Sequence, residues 1–313
     1  MDAKKYNNIK LGIGISKAII SFILVLLFIW LGYSQKLADY ISLSFNEKYL
    51  VFLVFIFSIG IVSSILFAPV NFYTGFYLEH KYKLSNQTFG KWLWENLKSS
   101  LVSLAIGIPI LLVFYFTMNQ FGDLWWLPFG VVMFFVSVVL TQIFPVLILP
   151  IFYKLTPIDS NELKSKIEAL ASDAGIKIEN IYKFDLSKNT KKANAAFTGL
   201  GETKRIILGD TLIDNYSNEE IETVMPLGNI LSRKFEYEAD EYAIDSTKMP
   251  REFINTLEKL TEQNLGDKEP HPFVEWFFYS HPSIKNRINS IKQKAGNLLK
   301  PNNDNISTGV ETL

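Results

Sequence analysis

The stretch NILSRKFEYEADEYAID, residues 229–245, predicts a helix on which two carboxylates, Glu236 and Asp240, lie one turn apart. Residues four apart in a helix share one face, so both side chains point to the same side. By periodicity alone, this face is the solvated side of an amphipathic helix, with Phe235 and Tyr242 on the buried side. The alternative is that the two carboxylates belong to a binding site.

Four apolar runs dominate the chain before this helix. They cover residues 11–33, 50–72, 101–118 and 127–152. Each run reaches or approaches the roughly 20 residues that a helix needs to cross a bilayer, and tryptophans stand near the run ends, as is typical of membrane interfaces. The first run is too long for the apolar part of a signal peptide and lacks a small-residue cleavage site. We therefore predict about four transmembrane helices in a lipid bilayer.

Lysines are distributed unevenly among the segments that flank these runs. The segments before the first run and between the second and third runs carry Lys4, Lys5, Lys10, Lys81, Lys83, Lys91 and Lys98. The segment after the first run has two lysines, and residues 119–126 have none. Because basic segments stay in the cytoplasm, the pattern predicts that the N-terminus, the second loop and the C-terminal domain face the cytoplasm.

Composition excludes several kinds of function. The 31 Lys and Arg residues are balanced by 31 Asp and Glu residues, so there is no excess positive charge for nucleic acid. The absence of cysteine excludes disulfides, thiolate zinc sites and a cysteine nucleophile. Histidine occurs three times, at His80, His271 and His281, which limits any imidazole chemistry.

After residue 153 the composition changes to that of a soluble domain. We predict helices over residues 156–175, 252–265 and 284–299, strands over residues 177–184, 195–198 and 205–208, and a hairpin turn at GLGET, residues 199–203. Ser217 and Glu220 have the spacing of a capping box, which opens a further helix at Asn218. Pro226 ends that helix shortly before the opening stretch begins.

Five blocks in this order resemble the type I CAAX prenyl endopeptidases, a family of membrane-embedded zinc metalloproteases, and their bacterial relatives. The blocks are YLEHKYKLSNQT (77–88), PIFYKL (150–155), NAAFTGLGETKRIILGDTL (194–212), NILSRKFEYEADEYA (229–243) and HPSIKNR (281–287). The set is more specific than any single motif. The resemblance implies a zinc cofactor and cleavage of peptide bonds near the C-terminus of prenylated or other membrane-associated proteins.

The sequence departs from this family at the motif that binds the metal. Family members carry H-E-x-x-H, in which two histidines on one helix face bind zinc and the glutamate acts as general base. Here the corresponding helix reads SNEEIETV (217–224), and H-E-x-x-H is absent from the sequence. The membrane helices that the family places next are also missing, on the order of 50–100 residues at roughly 20 per span. The join near Pro226 indicates a deletion and predicts a loosely packed junction over residues 224–227.

The resemblance also implies roles for the residues that remain. Glu236 is expected to be the third zinc ligand, and Asp240 to orient a ligand histidine. His281 is expected to donate to the oxyanion of the tetrahedral intermediate, with Arg287 supporting the site. Taken without the resemblance, His281 is a turn residue before Pro282, and Arg287 is a charge on a helix surface.

Asn194 and Ala195 match the start of the edge strand along which the family binds its peptide by strand addition. The family often has His where Lys192 stands and Tyr where Ala196 stands, so the peptide contacts differ here in detail. His80 and His271 match no family role, and we interpret both as loop residues.

These observations predict a mainly α integral membrane protein. About four transmembrane helices occupy residues 1–153, an incomplete α+β, zinc-metalloprotease-like cytoplasmic domain occupies residues 154–300, and a disordered tail occupies residues 301–313. Glu236, Asp240 and His281 offer two carboxylates and one nitrogen but no general base, so we expect no tight zinc binding.

Two hypotheses follow for the function. The chain is a zinc endopeptidase by descent that is inactive in this form, or it is a non-catalytic pseudo-protease or deletion product that only binds peptides. The missing segment itself is either a natural deletion or an artefact of the gene model.

Overall fold

The computed structural model describes residues 3–173, 177–198, 204–224, 233–272, 274–275 and 281–296. Four predicted features fall wholly or mostly outside this part of the chain: the turn at 199–203, the junction at 224–227, the first residues of the 229–245 helix and the tail at 301–313. The described part has long apolar helices in its first half and a small domain of helices and one sheet in its second.

The first half contains four helical stretches that are long and apolar enough to cross a membrane: Ala3–Trp30, Lys48–Lys81, Phe89–Leu124 and Trp126–Phe152. The second and fourth stretches each continue through one π-helical turn. In chain order, the α-helices of this half are α1 (Ala3–Trp30), α2 (Tyr33–Ser42), α3 (Lys48–Phe72), α4 (Leu78–Lys81), α5 (Phe89–Phe121), α6 (Trp126–Ile143) and α7 (Leu149–Phe152). The short helix α2 lies between the first and second stretches. The prediction of four spanning helices is confirmed.

Large apolar side chains are exposed on these helices. Every exposed large apolar residue in the described part of the chain lies between Ile19 and Ile151. Such a surface is unfavourable in water but is the expected outer surface of helices in lipid, where the backbone polar groups are bonded within each helix. The first half therefore has the surface of a protein that lipid covers.

The second half contains a four-stranded sheet with the strand order β1-β2-β4-β3. The strands are β1 (Leu155–Pro157), β2 (Asn180–Phe184), β3 (Ala195–Thr198) and β4 (Arg205–Gly209). The central strands β2 and β4 are parallel, and each outer strand pairs antiparallel with its neighbour. The predicted strands are confirmed with small shifts in their ends, and β3 is an edge strand.

The helices of the second half agree with the predicted pattern. They are α8 (Asn161–Asp173), α9 (Asp210–Ile213), α10 (Asn218–Val224), α11 (Arg233–Thr247), α12 (Pro250–Gln263) and α13 (Ile284–Lys294). The helix predicted from residue 156 begins only at Asn161, because Leu155–Pro157 pair with β2 and form β1, a strand that was not predicted. The capping box is confirmed, since the Ser217 amide donates to Glu220 at 2.9 Å and the Glu220 amide donates to Ser217 Oγ at 3.2 Å.

Two apolar cores stabilise this domain. The first joins α8, β2, β4 and α10 through Leu163, Ile167, Ile181, Leu208 and Ile221. The second joins α11, α12 and α13 through Ala243, Ile244, Phe253, Leu257, Ile288 and Ile291. Full burial of each large side chain contributes about 1.5–3 kcal/mol. The second core therefore fixes the helix that carries Glu236 and Asp240 against α13.

His80 lies on a helix, so its interpretation as a loop residue is wrong. The helix that begins as α3 continues through the π-helical turn beyond the apolar run, and α4 carries the imidazole. The two ring nitrogens lie 2.7 Å from the carbonyl oxygens of Phe76 and Gln87. His271 is an exposed loop residue, as predicted.

The two halves of the chain meet at a small apolar cluster next to the membrane helices. Its buried members are Tyr6, Leu78, Tyr82, Leu84 and Leu265. Backbone bonds continue the contact, since Lys191 N donates to Leu84 O at 2.8 Å and Asn86 N donates to Asn189 O at 3.1 Å. The segment after α4 therefore pairs with the loop that leads into β3.

A polar network lies beside this cluster, with the Glu79 carboxylate at its centre. Tyr6 and Lys10 of α1 donate to Glu79 Oε1 at 2.5 and 2.7 Å. Lys192, from the loop before β3, has its ammonium 3.3 Å from Glu79 Oε2 and 3.1 Å from the Tyr6 hydroxyl. One carboxylate therefore connects α1, α4 and the soluble domain.

The substitution Glu79→Gln tests this connection. It removes the negative charge that Lys10 and Lys192 share, and we expect the stability of the folded protein to fall by about 1–3 kcal/mol, the usual loss for a charged hydrogen-bond partner. The measurement is thermal unfolding in detergent, together with limited proteolysis at the residues between the two halves. Glu47→Gln is the control, because Glu47 is exposed and makes no side-chain cap at the start of α3. Equal stability of the two variants would contradict the assigned role of Glu79.

Candidate functional site

Four of the six predicted site residues are in direct contact. Glu236 and Asp240 lie on α11, Arg287 lies on α13, and His281 lies in the turn that precedes α13. The second apolar core packs α11 against α13, which places the carboxylates opposite the guanidinium. We call these four residues the carboxylate–arginine cluster.

The strongest contact in the cluster joins Arg287 and Asp240. Arg287 Nε donates to Asp240 Oδ2 at 3.0 Å, and Arg287 Nη2 donates to Asp240 Oδ1 at 2.6 Å. The two parallel bonds are the bidentate geometry in which arginine holds a carboxylate most firmly. Asp240 is 1% exposed and Arg287 is 8% exposed, so water screens this pair little.

Glu236 occupies the other side of the same guanidinium. One of its oxygens, Oε1, contacts His281 Nδ1, and the other, Oε2, lies 3.3 Å from Arg287 Nη1. Oε2 is buried and accepts no hydrogen bond, although its distance to the guanidinium is that of an ion pair. Glu236 is 5% exposed, whereas the His281 side chain is 64% exposed, so the imidazole closes the cluster from the solvent side.

This geometry overturns two expectations that rest on periodicity alone. The face with Glu236 and Asp240 is not solvated, and Arg287 is not a helix-surface charge. A helical pattern treats every charged residue as outward-facing, but opposite charges on two packed helices can be buried together when each satisfies the other. His281 lies at a bend immediately before Pro282 and α13.

Burial shifts the pKa of two groups at the cluster. Loss of solvent raises the pKa of Asp240, and the neighbouring Glu236 acts in the same direction, while the hydrogen bonds from Arg287 act in the opposite one. Burial also raises the pKa of the Tyr237 hydroxyl, and the carboxylate of Glu275 adds to this effect. An additional negative charge inside the cluster would therefore be energetically unfavourable.

Glu275 supports the turn that presents His281, and the sequence did not single it out. Its carboxylate accepts from the Ser283 amide at 2.8 Å and from Asn286 Nδ2 at 3.1 Å. The Ser283 hydroxyl in turn caps α13 by accepting from the Asn286 amide. A serine that follows His-Pro and precedes a helix is a recognisable cap, but its contact with Glu275 depends on tertiary packing.

The residues at the cluster do not fit a catalytic zinc ion. Such an ion needs about three protein ligands and an open position for water. Glu236 Oε2, which accepts no hydrogen bond, and His281 could each supply one ligand atom. Both Asp240 oxygens accept hydrogen bonds from Arg287 and are therefore not available. His80 is bonded at both ring nitrogens elsewhere. Within the described ranges, no group of three acidic or histidine side chains is placed to hold a metal.

Asn194 and Ala195, the other two predicted site residues, contact β4 rather than the cluster. Gly209 N donates to Asn194 O at 2.9 Å, and Ala195 pairs with Leu208 in the ladder. Because hydrogen-bonded pairs alternate in an antiparallel ladder, the backbone amide and carbonyl of Ala195 point away from β4, towards the sheet edge.

The side chain of Asn264 occupies the sheet edge at Ala193, a contact that the sequence pattern did not predict. Its Oδ1 accepts from Ala193 N at 2.8 Å, and its Nδ2 donates to Ala193 O at 3.1 Å. The amide side chain therefore takes the place that a neighbouring strand would have at Ala193. The position available for strand addition begins at Ala195.

Family comparisons cover nearly the whole chain. The model described as "CAAX prenyl protease N-terminal, five membrane helices" matches residues 1–154. The model of peptidase family M48 matches residues 157–228 and 221–295, in two pieces that overlap over residues 221–228, around the predicted join. The described residues of the first segment contain four helices of spanning length, against the five in the family description.

Individual proteins agree with these matches. The chain is 24% identical to the "Uncharacterized metalloprotease YhfN" of Bacillus subtilis, over 91% of this chain and 84% of the relative. It is 37% identical to CAAX prenyl protease 1 of Saccharomyces cerevisiae, over 55% of this chain and 38% of that protein. The crystal structure of S. mikatae Ste24p has the same fold, with a TM-score of 0.82 at 24% identity, over 92% of this chain and 87% of that chain.

The spanning helices, the mixed domain that follows them and the two family matches define an integral membrane protein of the M48 metalloprotease class. The chain belongs to the CAAX prenyl protease family. The alignment with the Bacillus relative runs over 364 positions, more than the 313 residues of this chain, so that relative has residues without a counterpart here.

Removal of Arg287 tests the energetic role of the cluster. Arg287→Ala leaves two buried carboxylates without a cation, and we expect a loss of about 3–5 kcal/mol of stability. The measurement is thermal or denaturant unfolding of the purified protein, followed by circular dichroism.

Lys285→Ala is the matched control on the same helix. Lys285 and its partner Glu269 are both exposed, so this variant should lose less than about 1 kcal/mol. Unfolding of Arg287→Ala at the same point as the unmodified chain would show that the cluster does not stabilise the domain.

Proposed function

We propose that this chain has the scaffold of a membrane endopeptidase for prenylated or other membrane-associated proteins but does not hydrolyse peptide bonds itself. One observation carries the proposal: the residues that remain from the metal site bind one another. Arg287 holds Asp240, and Glu236 contacts Arg287 and His281. Among the described residues of the cluster, neither a complete zinc ligand set nor a general base is left over.

The full sequence supports the same conclusion. It contains three histidines and no H-E-x-x-H, so it lacks both histidine ligands that this motif supplies and the glutamate between them. The two pieces of the M48 match and the longer alignment with the Bacillus relative are consistent with a segment missing near Pro226. The residues carrying the fold are retained, while those carrying the hydrolytic step are not.

Peptide binding is the activity that this chain can retain. In strand addition, a partner peptide supplies main-chain hydrogen bonds to an open sheet edge. The outward amide and carbonyl of Ala195 offer such an edge next to Asn194, and Asn264 defines where it begins. We propose that a C-terminal segment of a membrane protein binds along β3, with the soluble domain, from about residue 154, on the cytoplasmic side.

A second candidate is an active enzyme whose middle segment has been lost from the recorded sequence. The two pieces of the M48 match favour it, since the blocks on both sides of the join are intact. The coding DNA around codon 225 decides between the two. An insert that encodes H-E-x-x-H would support the active enzyme, and an uninterrupted reading frame would support the non-catalytic protein.

Zinc content and peptide cleavage test the main proposal. We expect well below one zinc per chain in the purified protein, no cleavage of a quenched farnesylated peptide, and no change in thermal unfolding on adding a chelator. The Glu236→Gln variant serves as the reference, because it removes the best candidate ligand and should have the same zinc content as the unmodified chain. Stoichiometric zinc together with chelator-sensitive cleavage would refute the proposal.

Ala195→Pro tests the edge strand. Proline removes the outward amide, but it is tolerated at the first position of an edge strand, so the fold should persist. We expect the affinity for a fluorescent farnesylated C-terminal peptide to fall about tenfold, since one hydrogen bond contributes about 1–1.5 kcal/mol. Ala195→Val keeps the amide and should bind like the unmodified chain. Unchanged affinity of the proline variant would place the peptide elsewhere.

A further inference from the structure

A groove of about 610 Å³ lies between α1 and α3 and has no part in the proposed peptide site. Its wall is mainly apolar, and the apolar residues that line it include Ile13, Ile20, Phe67 and Val70. Ile20 is exposed, so the groove is open at the surface that faces lipid. An acyl chain matches this shape and polarity, because it is long, flexible and apolar.

A single cation, Lys17, lies in the wall of this groove. Its ammonium donates to Asn71 Oδ1 at 2.8 Å and stands 5.2 Å from the centre of the Phe67 ring. Both partners are uncharged, and none of the described carboxylates forms an ion pair with Lys17. A lysine within a spanning helix is costly unless it has a function or an anionic partner.

Lys17 can reach the membrane interface. It lies six residues past Leu11, the first residue of the apolar run, which is about 9 Å along a helix that rises ~1.5 Å per residue. The side chain of a helical residue points towards the N-terminus of its helix, and a lysine stem extends its charge towards the polar boundary. An anionic group at the interface is therefore within range of this ammonium.

A second hollow, of about 440 Å³, adjoins the groove at that interface. Asn8 and Ile9 line both spaces, and Lys4 and Lys5 line only the second. The combined space thus has an apolar inner part with one cation and a basic outer part. Charge and polarity change along it in the same order as in a phospholipid with an anionic head group.

We propose that the groove between α1 and α3 binds an anionic phospholipid. The phosphate lies near Lys17 and the lysines at the mouth, and one acyl chain follows the apolar wall. A neutral lipid would fill the same groove without satisfying Lys17, so the site distinguishes lipids by head-group charge. This proposal is independent of peptide binding and of hydrolysis.

Native mass spectrometry of the detergent-purified chain tests the proposal. Phosphatidylglycerol is titrated against diacylglycerol with the same acyl chains, which carries no phosphate, and we expect the anionic lipid to bind at least about fivefold more tightly, the contribution of one lysine near a membrane surface. Lys17→Met keeps the length of the side chain and should abolish the preference. Lys36→Met, on the exposed surface of α2, should retain it.

If Lys17→Met does not fold, a second variant tests the proposal. The double substitution Lys4→Gln and Lys5→Gln changes only exposed residues near the N-terminus, and it should weaken phosphatidylglycerol binding without changing that of diacylglycerol. Equal affinities for the two lipids would overturn the proposal. So would displacement of phosphatidylglycerol by inorganic phosphate or by a farnesylated peptide, because either result would assign the groove to another ligand.

Discussion

The guanidinium of Arg287 is the group on which the C-terminal part of this protein depends. It lies between two buried carboxylates on α11, and burying a charged pair is favourable only when each charge has its partner. The contact also sets the position of α13 relative to α11, because the bidentate bonds to Asp240 permit one orientation of the two planar groups. Removal of the ion pair would leave an apolar core with charges inside it.

The same cluster bears on whether these side chains are available to bind a metal ion. A metal site requires ligands with free lone pairs, held apart at the distances that an ion imposes. Here one buried oxygen of Glu236 remains unbonded, while the other carboxylate groups are satisfied within the protein. In the described part of the chain, these residues are thus held in position by ion pairs with one another.

The membrane imposes the second constraint. The first half exposes apolar side chains that only lipid can cover, and the soluble domain is attached to it through a few specific contacts at one end. Glu79 is central among these contacts because it joins two spanning helices to the loop before β3. This loop leads directly to the open edge at Ala195, so the proposed peptide site and the membrane are connected by a short segment of chain.

The sequence by itself determined the spanning helices, three of the four strands, the capping box at Ser217 and the family, because these depend on local composition, periodicity and motif order. It missed β1, a three-residue strand at which it predicted the start of a helix. It also determined that H-E-x-x-H is absent. Only the tertiary structure decided that Glu236 and Asp240 are buried, that Arg287 pairs with both, and that Glu275 and Asn264 shape the turn and the sheet edge. The physical reason is that periodicity predicts a charged helix residue to be exposed, because it does not show which residue of another helix pairs with it. Asp240 and Arg287 are 47 positions apart in the chain, and only the packing of their two helices brings them together.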